Sequence, residues 1–244
     1  PDVHPGKVGT IGFTSTIGDG ILPNIVGIDI GCGITMAKLK QKKVEFQKLD
    51  TVIRERIPSG SKIRKIPHRF MEQMDLENLR CYPFIQAKRV SLGLGTLGGG
   101  NHFIELDKDE EGNLYAVIHT GSRHLGKEVT EYYLNQGQRY LKAREILVPY
   151  ELTYLEGKLM EDYLHDLQVV KDYAAYNRAA ILDELAKGMK WKIMETISCV
   201  HNYVDEKDGI LRKGAISAHT AETVLIATNM KHGILLGNGL ANQK

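Results

Sequence analysis

The order of the helix and strand patterns limits the possible folds more than any other feature of this sequence. Apolar residues recur at helical spacing over 125–146 and 157–194, and the second segment carries one apolar stripe, formed by Leu164, Leu167, Val170, Ala174, Ala175, Ala179 and Leu182. Strand patterns lie over 25–40, 101–107, 114–119, 209–216 and 222–236. Because strands and helices do not alternate regularly, we predict an α+β fold with mixed sheets, flanking helices and one domain over residues 1–244.

The remaining segments are shorter and richer in turns. Residues 91–100 contain five glycines, so we predict that they do not form a regular helix. Residues 41–57 are predicted to form a polar helix or an edge segment, residues 71–90 are a candidate helix, and residues 1–24 are predicted to be loops and hairpins.

Composition excludes several classes of protein. Hydrophobic residues make up 42% of the chain, which excludes global disorder, and 32 basic against 30 acidic residues leave a net charge of +2. A polyanion site must therefore be local. No apolar run approaches the roughly 20 residues that a membrane span needs, so no membrane partner is expected. The three scattered cysteines indicate a reducing compartment, and we expect the cytoplasm.

The first motif with chemical potential is Gly27-Ile-Asp29-Ile-Gly-Cys32-Gly33. A carboxylate inside an apolar segment is costly to bury unless a cation or hydrogen bonds compensate it. A carboxylate and a thiolate on one turn suit a divalent transition metal. The alternative is a solvated aspartate beside an inert buried cysteine.

The second motif is Gly98-Gly-Gly-Asn101-His102-Phe-Ile-Glu105. Glycines let backbone N–H groups approach a phosphate, Asn101 can bind an anion or a sugar, and His102 can bind a metal. Glu105 can receive the edge of a base. A flexible surface loop ahead of a strand is the competing interpretation.

The third motif places His119 at the end of a strand, ahead of Ser122 and Arg123 at a predicted helix N-terminus, where oxyanions bind. Arginine also offers bidentate phosphate contacts. A purely structural histidine at position 119 stays open as an alternative.

Two further motifs lie near the end of the chain. His201, next to Asn202, is predicted to follow a helical stretch. It is either a functional residue or a core or capping histidine. Arg212 and Lys213 precede a Gly-Ala turn, where they form either a phosphate contact or a solvated face.

Together these motifs supply five potential metal ligands, all in or next to turn-rich segments: Asp29, Cys32, His102, His119 and His201. A thiolate can bridge two metals, so a two-metal site with mixed O, N and S ligands is possible. A metal pair beside a glycine-rich loop and arginines suggests phosphoryl or nucleotidyl chemistry.

The motifs resemble, in this order, those of the RtcB family of RNA-splicing ligases. The segments that carry the resemblance are PDVHPGKVGTIG, VGIDIGCGI, GTLGGGNHFIEL, IHTGSRHLG, HNYV and RKGA, which run from residue 1 to about residue 230. The resemblance implies an α+β fold around a metal-lined cleft. It also implies a ligase that uses GTP and Mn²⁺ to join a 2′,3′-cyclic phosphate or 3′-phosphate RNA end to a 5′-hydroxyl end. The expected partners are RNA ends, such as tRNA halves or broken RNA, and an activating protein.

The resemblance also implies roles for individual residues, with two Mn²⁺ ions per site. Asp29 and His102 would complete one metal site, His119 and His201 would complete the other, and Cys32 would bridge both. The expected guanylate contacts are Asn101, His102, Phe103, Ile104, Glu105, His201 and Asn202.

Two weaker assignments concern other positions. Arg123 is the expected ligand for an RNA phosphate, and Asp2 is expected near the site.

This sequence departs from the family pattern in one important respect. Family members carry their guanylylated histidine in a His-Gly-Ala-Gly-Arg-like segment, which these 244 residues lack, so no catalytic nucleophile is identified. The nucleotide loop of the family is also altered, to Ala227-Thr-Asn-Met230. We therefore expect a chain truncated at both ends that binds Mn²⁺ and does not guanylylate itself. The alternatives are a non-catalytic metal- or nucleotide-binding paralogue and a metal-dependent RNA cyclic phosphodiesterase.

Overall fold

The computed structural model describes residues 3–6 and 8–240 and has the predicted α+β architecture. The helices are α1 Pro23–Val26, α2 Phe46–Arg56, α3 Ala87–Gly93, α4 Arg123–Ala143 and α5 Gly157–Met189. The strands are β1 His4–Pro5, β2 Thr10–Ile11, β3 Phe13–Thr16, β4 Gly20–Ile21, β5 Gly33–Leu39, β6 Phe103–Lys108, β7 Leu114–Thr120, β8 Leu155–Glu156, β9 Ile193–Val200, β10 Asn202–Asp205, β11 Ile210–Lys213, β12 Thr223–Asn229 and β13 Gly233–Asn238. Short 3-10 turns lie at Arg69–Gln73, Leu76–Asn78, Tyr82–Phe84 and Tyr150–Leu152.

An antiparallel four-stranded sheet of order β6-β7-β5-β9 forms the centre of the fold. Three strands, β10, β11 and β3, form a second sheet, while β1-β2, β4-β8 and β12-β13 pair as two-stranded sheets. The two inner strands, β5 and β7, are buried on both faces. Alternate residues of β7 point to opposite sides of the sheet. Ile118 packs in the core below α2 and α5, whereas Val117 packs toward the β12-β13 hairpin.

Helix α5 is the main packing partner of both the sheet and helix α4. Tyr163 and Val170 of α5 pack with Leu125 and Val129 of α4 in the largest apolar cluster. Full burial of such a side chain contributes roughly 1.5–3 kcal/mol. The predicted stripe is buried or half-buried except at Ala175, which is exposed.

The predicted end of the long helix at residue 194 is wrong. Helix α5 ends at Met189, because Lys190 adopts a left-handed conformation (φ 57°) and its N–H bonds back to the carbonyls of Ala186 and Lys187. The next residues form β9, a strand absent from the sequence prediction. His201 therefore follows a strand, and the interpretation that it follows a helical stretch is also wrong.

Glycine-rich segments account for the other differences. Helix α3 runs to Gly93, so the predicted loop over 91–100 is wrong in its first three residues. From there Gly95, Gly98 and Gly100 all have positive φ, which L-residues rarely adopt, so no helix continues. The pattern over 222–236 divides into the β12-β13 hairpin.

Strand direction brings distant turns to one edge of the central sheet. Strands β5 and β6 begin at this edge, and β7 and β9 end there. Gly33 pairs with both Thr120 and Val200, and Phe103 pairs with His119. Residues just before β5 and β6, at the end of β7 and just after β9 must therefore meet. Within the described part of the chain, no helix is both long and apolar enough to cross a membrane.

Candidate metal centre

The edge of the central sheet brings together all five predicted ligands. Their atoms form two groups, and the atoms of each group lie within 4.8 Å of one another: one group is Asp29, Cys32 and His102, the other Cys32, His119 and His201. Cys32 belongs to both groups. The sequence separation of these residues, up to 172 positions, is bridged by the strand pairing described above.

Short contacts define the first group. Asp29 Oδ2 lies 2.8 Å from His102 Nε2, and Cys32 Sγ lies 3.6 Å from the same nitrogen. In the second group, Cys32 Sγ is 3.3 Å from His119 Nε2, which is itself 3.2 Å from His201 Nε2. Two imidazole nitrogens facing each other beside a thiol and a carboxylate make a dense set of metal donors.

Backbone carbonyls fix which nitrogen of two imidazoles points inward. His102 Nδ1 lies 3.0 Å from the carbonyl of Leu97, and His119 Nδ1 lies 3.0 Å from the carbonyl of Asn101. Because a carbonyl only accepts, each Nδ1 carries a proton, so Nε2 is the nitrogen of each ring that can offer a lone pair to a metal. Histidines that bind metals are oriented by second contacts of this kind.

Burial keeps the imidazoles of His119 and His201 neutral. It lowers the pKa of His119 to about 4, with a further contribution from His102. It lowers the pKa of His201 to about 3, with a further contribution from His119. Neutral imidazole is the form that binds a metal.

The thiol and the carboxylate respond differently to the same environment. Burial and the neighbouring Asp29 raise the pKa of Cys32 well above its ordinary value, so a thiolate here requires a cation. Burial also acts to raise the pKa of Asp29, but the hydrogen bond and the charge of His102 outweigh it and hold that pKa below its usual value.

A cleft of about 340 Å³ opens beside the ligands. Its lining includes the ligands Asp29, Cys32 and His201, the polar residues Asn24, Asn101, Asn202 and Lys213, and apolar residues of the first 28 positions. The Lys213 ammonium group is largely buried and donates to the carbonyl of Ile25 at 2.9 Å. This places the Lys213 cation at the wall of a cleft that also carries three asparagine side chains.

The residues predicted to contact guanylate do not all face this cleft. Asn101 and Asn202 line it, and the Asn202 carboxamide is held by the carbonyl of Asp29 at 3.3 Å and the N–H of Gly214 at 2.8 Å. Phe103 packs its ring 5.1 Å from His119.

Strand β6 separates the other two predicted guanylate residues. Glu105 follows Phe103 on the same face of the strand. Ile104 points to the opposite face and packs in the core with α2 and α5, so the structure does not bring its side chain to the site.

Arg123 lies beneath the glycine-rich loop and already has protein partners. It has a positive φ of 56°, its Nε donates to Thr96 Oγ1 at 3.2 Å, and its Nη2 donates to the carbonyl of Gly60 at 3.3 Å. A side-chain carbon at Gly98 would overlap this guanidinium. Asp2 lies outside the described residues.

The sequence analysis did not identify two residues that support the site. Asn177 and Arg178 of α5 are 0% and 1% exposed, and they bond to the turns that carry the ligands. The available signal was a polar pair inside the run Ala-Ala-Tyr-Asn-Arg-Ala-Ala. Such a pair in an amphipathic helix usually lies on the solvent face.

Comparison with known proteins gives consistent matches over the whole chain. A family model described as "tRNA-splicing ligase RtcB" matches residues 1–244. The chain is 29% identical to RNA-splicing ligase RtcB1 of an Escherichia coli strain, over 100% of this chain and 70% of that protein. Identity to RNA-splicing ligase RtcB of Escherichia coli K12 is 28%, with the same coverage. Identity to tRNA-splicing ligase RtcB of Pyrobaculum aerophilum is 25%, over 87% of this chain and 58% of that protein.

Proposed function

The chain belongs to the RtcB family of RNA-splicing ligases, and on that premise we propose that it joins RNA ends with GTP and Mn²⁺. One end carries a 2′,3′-cyclic phosphate or a 3′-phosphate and the other a 5′-hydroxyl. A cyclic phosphate is first opened to the 3′-phosphate. The guanylylated histidine that the resemblance implies, which these 244 residues lack, would pass GMP from GTP to the 3′-phosphate with release of pyrophosphate, and the 5′-hydroxyl then displaces GMP.

The observation that carries this proposal is the convergence of five ligands from four separate segments. We assign Asp29 and His102 to one Mn²⁺, His119 and His201 to the other, and Cys32 to both. The mixed O, N and S donors, with inward-facing imidazole nitrogens, fit a pair of borderline divalent ions. Bound there, the two ions would neutralise phosphate charge.

The other residues of the cleft bind and orient the reacting ends. Asn101 and Asn202 offer amide groups to a phosphate or a ribose, and Lys213 offers a cation at the same wall. For the guanylate contacts we retain His102, Phe103, Glu105 and His201 with these amides. Arg123 would meet an RNA phosphate with its remaining guanidinium N–H groups, because its Nε and one N–H of Nη2 already donate to Thr96 and Gly60.

Three free cysteines are compatible with a reducing compartment, and we assign the protein to the cytoplasm. Its partners in this proposal are RNA ends, including tRNA halves, together with GTP and an activating protein.

The test is a ligation assay with two labelled RNAs, one ending in a 2′,3′-cyclic phosphate and the other beginning with a 5′-hydroxyl. The purified chain is supplied with GTP and Mn²⁺, and Mn²⁺ binding is measured in parallel. Cys32→Ser is the test variant and Cys199→Ser is the matched control, because Cys199 is not among the five ligands. We expect Cys32→Ser to lose metal binding and every reaction of the RNA ends that the wild-type chain shows, and Cys199→Ser to match the wild-type chain in both measurements.

The other outcomes separate the competing functions. Opening of the cyclic phosphate without joining would identify a phosphodiesterase instead. Metal binding without any change to either RNA would identify a non-catalytic binding protein. Wild-type metal binding in Cys32→Ser would contradict the assignment of the metal centre itself.

A further inference from the structure

A buried asparagine on α5 holds two of the turns that surround the metal centre. Asn177 Oδ1 accepts hydrogen bonds from the N–H groups of Gly95 at 2.7 Å and Thr96 at 3.1 Å. Its Nδ2 donates to the carbonyls of Thr96 and Gly121, both at 3.1 Å. One side chain therefore joins the start of the glycine-rich loop to the turn that follows β7.

These contacts continue to the ligand His102 through a shared acceptor. Asn177 Nδ2 lies 3.3 Å from Thr120 Oγ1, and that hydroxyl donates to the carbonyl of Leu97 at 2.9 Å. The same carbonyl accepts from His102 Nδ1 at 3.0 Å. The position of the Leu97 carbonyl thus decides where the His102 ring points. Asn177 fixes the preceding residue, Thr96, and Thr120 bonds to the Leu97 carbonyl itself.

The neighbouring residue on the helix acts on the other ligand-bearing turn. Arg178 Nη1 donates to the carbonyl of Gly31 at 2.8 Å and to that of Thr120 at 3.0 Å. Gly31 directly precedes Cys32, and Thr120 directly follows His119. Arg178 therefore bonds to the residues directly next to Cys32 and His119, and Asn177 bonds to Thr96, directly before the Leu97 carbonyl that orients His102.

A stripe that faces a core normally carries apolar side chains, since a buried polar group is costly unless all of its hydrogen bonds are made. Asn177 makes its hydrogen bonds to the turns of the site, and these bonds explain why an asparagine lies on the buried face of α5. We propose that Asn177 is a positioning residue of the metal centre, which sets the direction of His102 through Thr120 and Leu97. This inference rests on the proposed metal-binding function.

Asn177 is the informative position because its removal changes no charge near the cations. In Asn177→Ala we expect Mn²⁺ affinity to fall by roughly 10–100-fold, the usual effect of losing a residue that orients a ligand. The absorption spectrum of the Co²⁺-loaded chain should shift as well, because the field at the metal changes when His102 turns.

The matched control is Asp166→Ala. Asp166 is also a fully buried polar residue of α5, and its carboxylate accepts from two consecutive backbone N–H groups, those of Arg80 and Cys81. This variant should lower the free energy of unfolding but leave Mn²⁺ affinity and the Co²⁺ spectrum unchanged. Thr120→Val, which keeps the side-chain shape, tests the same path if Asn177→Ala does not fold, and it should also weaken Mn²⁺ binding.

Three results would overturn parts of this reasoning. Absence of Mn²⁺ binding in the wild-type chain refutes the proposed function and this inference together. Wild-type affinity and spectrum in folded Asn177→Ala or Thr120→Val refute the inference alone. An equal loss of affinity in Asp166→Ala also refutes it, since the effect would then reflect general destabilisation.

Discussion

Gly121 should be irreplaceable for metal binding although it lies outside the ligand set. A Cβ at this position would lie 2.1 Å from Asp29 Oδ1, 2.8 Å from Asp29 Cγ and 3.1 Å from Cys32 Cα. Gly121 is not among the glycines with positive φ, so alanine can adopt its backbone conformation. The substitution Gly121→Ala therefore acts through one steric collision, with the carboxylate of a proposed ligand.

The size of the effect follows from these distances. To reach van der Waals contact with the new methyl group, Asp29 Oδ1 must move by more than about 1 Å. Metal–ligand distances vary by only about 0.2 Å around their ideal values, and a 1 Å misplacement in an active site can cost on the order of 100-fold in rate. We therefore expect Mn²⁺ affinity to fall at least about 10-fold and ligation about 100-fold.

The effect on stability should be much smaller than the effect on binding. Alanine reduces the entropy of the unfolded chain, worth about 0.4–1 kcal/mol in favour of folding. The displaced carboxylate costs about 1–3 kcal/mol, as overpacking usually does. The net loss is about 0–2.6 kcal/mol, which is less than the roughly 5–15 kcal/mol by which domains are usually stable, so we expect the chain to stay folded for the assay.

Mn²⁺ titration and urea unfolding of the same samples test this prediction. Gly18→Ala is the control, because Gly18 has no positive φ and nothing lies within 4 Å of its hypothetical Cβ. That variant should match the wild type in both measurements. Folded Gly121→Ala with wild-type Mn²⁺ affinity would show that Asp29 is not a ligand.

Three further predictions concern stability. Burial holds the pKa of His119 at about 4 and of His201 at about 3, against 6.5 for an ordinary histidine. As the pH falls, these two imidazoles are therefore protonated in the unfolded chain before they are protonated in the folded chain. Above pH 6.5 the metal-free chain should thus have its full free energy of unfolding, and by pH 5 this free energy should fall by about 2 kcal/mol for each of the two imidazoles. Urea unfolding at several pH values measures this fall. The same pH dependence in His119→Gln as in the wild type would contradict the prediction. Lys190→Gly should raise the free energy of unfolding by about 0.5–1 kcal/mol by relieving the left-handed conformation, and no gain would mean that the helix ends differently. Tyr173→Phe leaves the buried carbonyl of Val90 without its hydroxyl donor, so thermal and urea unfolding should show a loss of about 1–2 kcal/mol, and an unchanged midpoint would exclude that bond.

Local chemistry made much of the site predictable. Strand patterns followed by glycine or polar turns identified β6 and β7 to within about two residues, and the reactive side chains stand at those strand ends. Strand β9 could not be found in the same way. Its residues Met194, Glu195 and Thr196 are exposed, so they carry no apolar alternation, and the strand exists because it pairs along β5 from Gly33 to Leu39. That pairing is a contact between segments about 160 positions apart, which no short window of sequence contains.

The orientation of the ligands was hidden for a related reason. The identity of a ligand such as His102 is a local property, but the direction of its ring depends on the Leu97 carbonyl. That carbonyl accepts from the Thr120 hydroxyl, which in turn lies 3.3 Å from Asn177 Nδ2, so two other segments determine its position. An asparagine on a helix is read as solvated until the turns that need its hydrogen bonds are known to lie against it. For this reason the proposed metal ligands can be named from motifs alone, whereas the residues that we propose to position them emerge only from the packing of α5 against the end of the sheet.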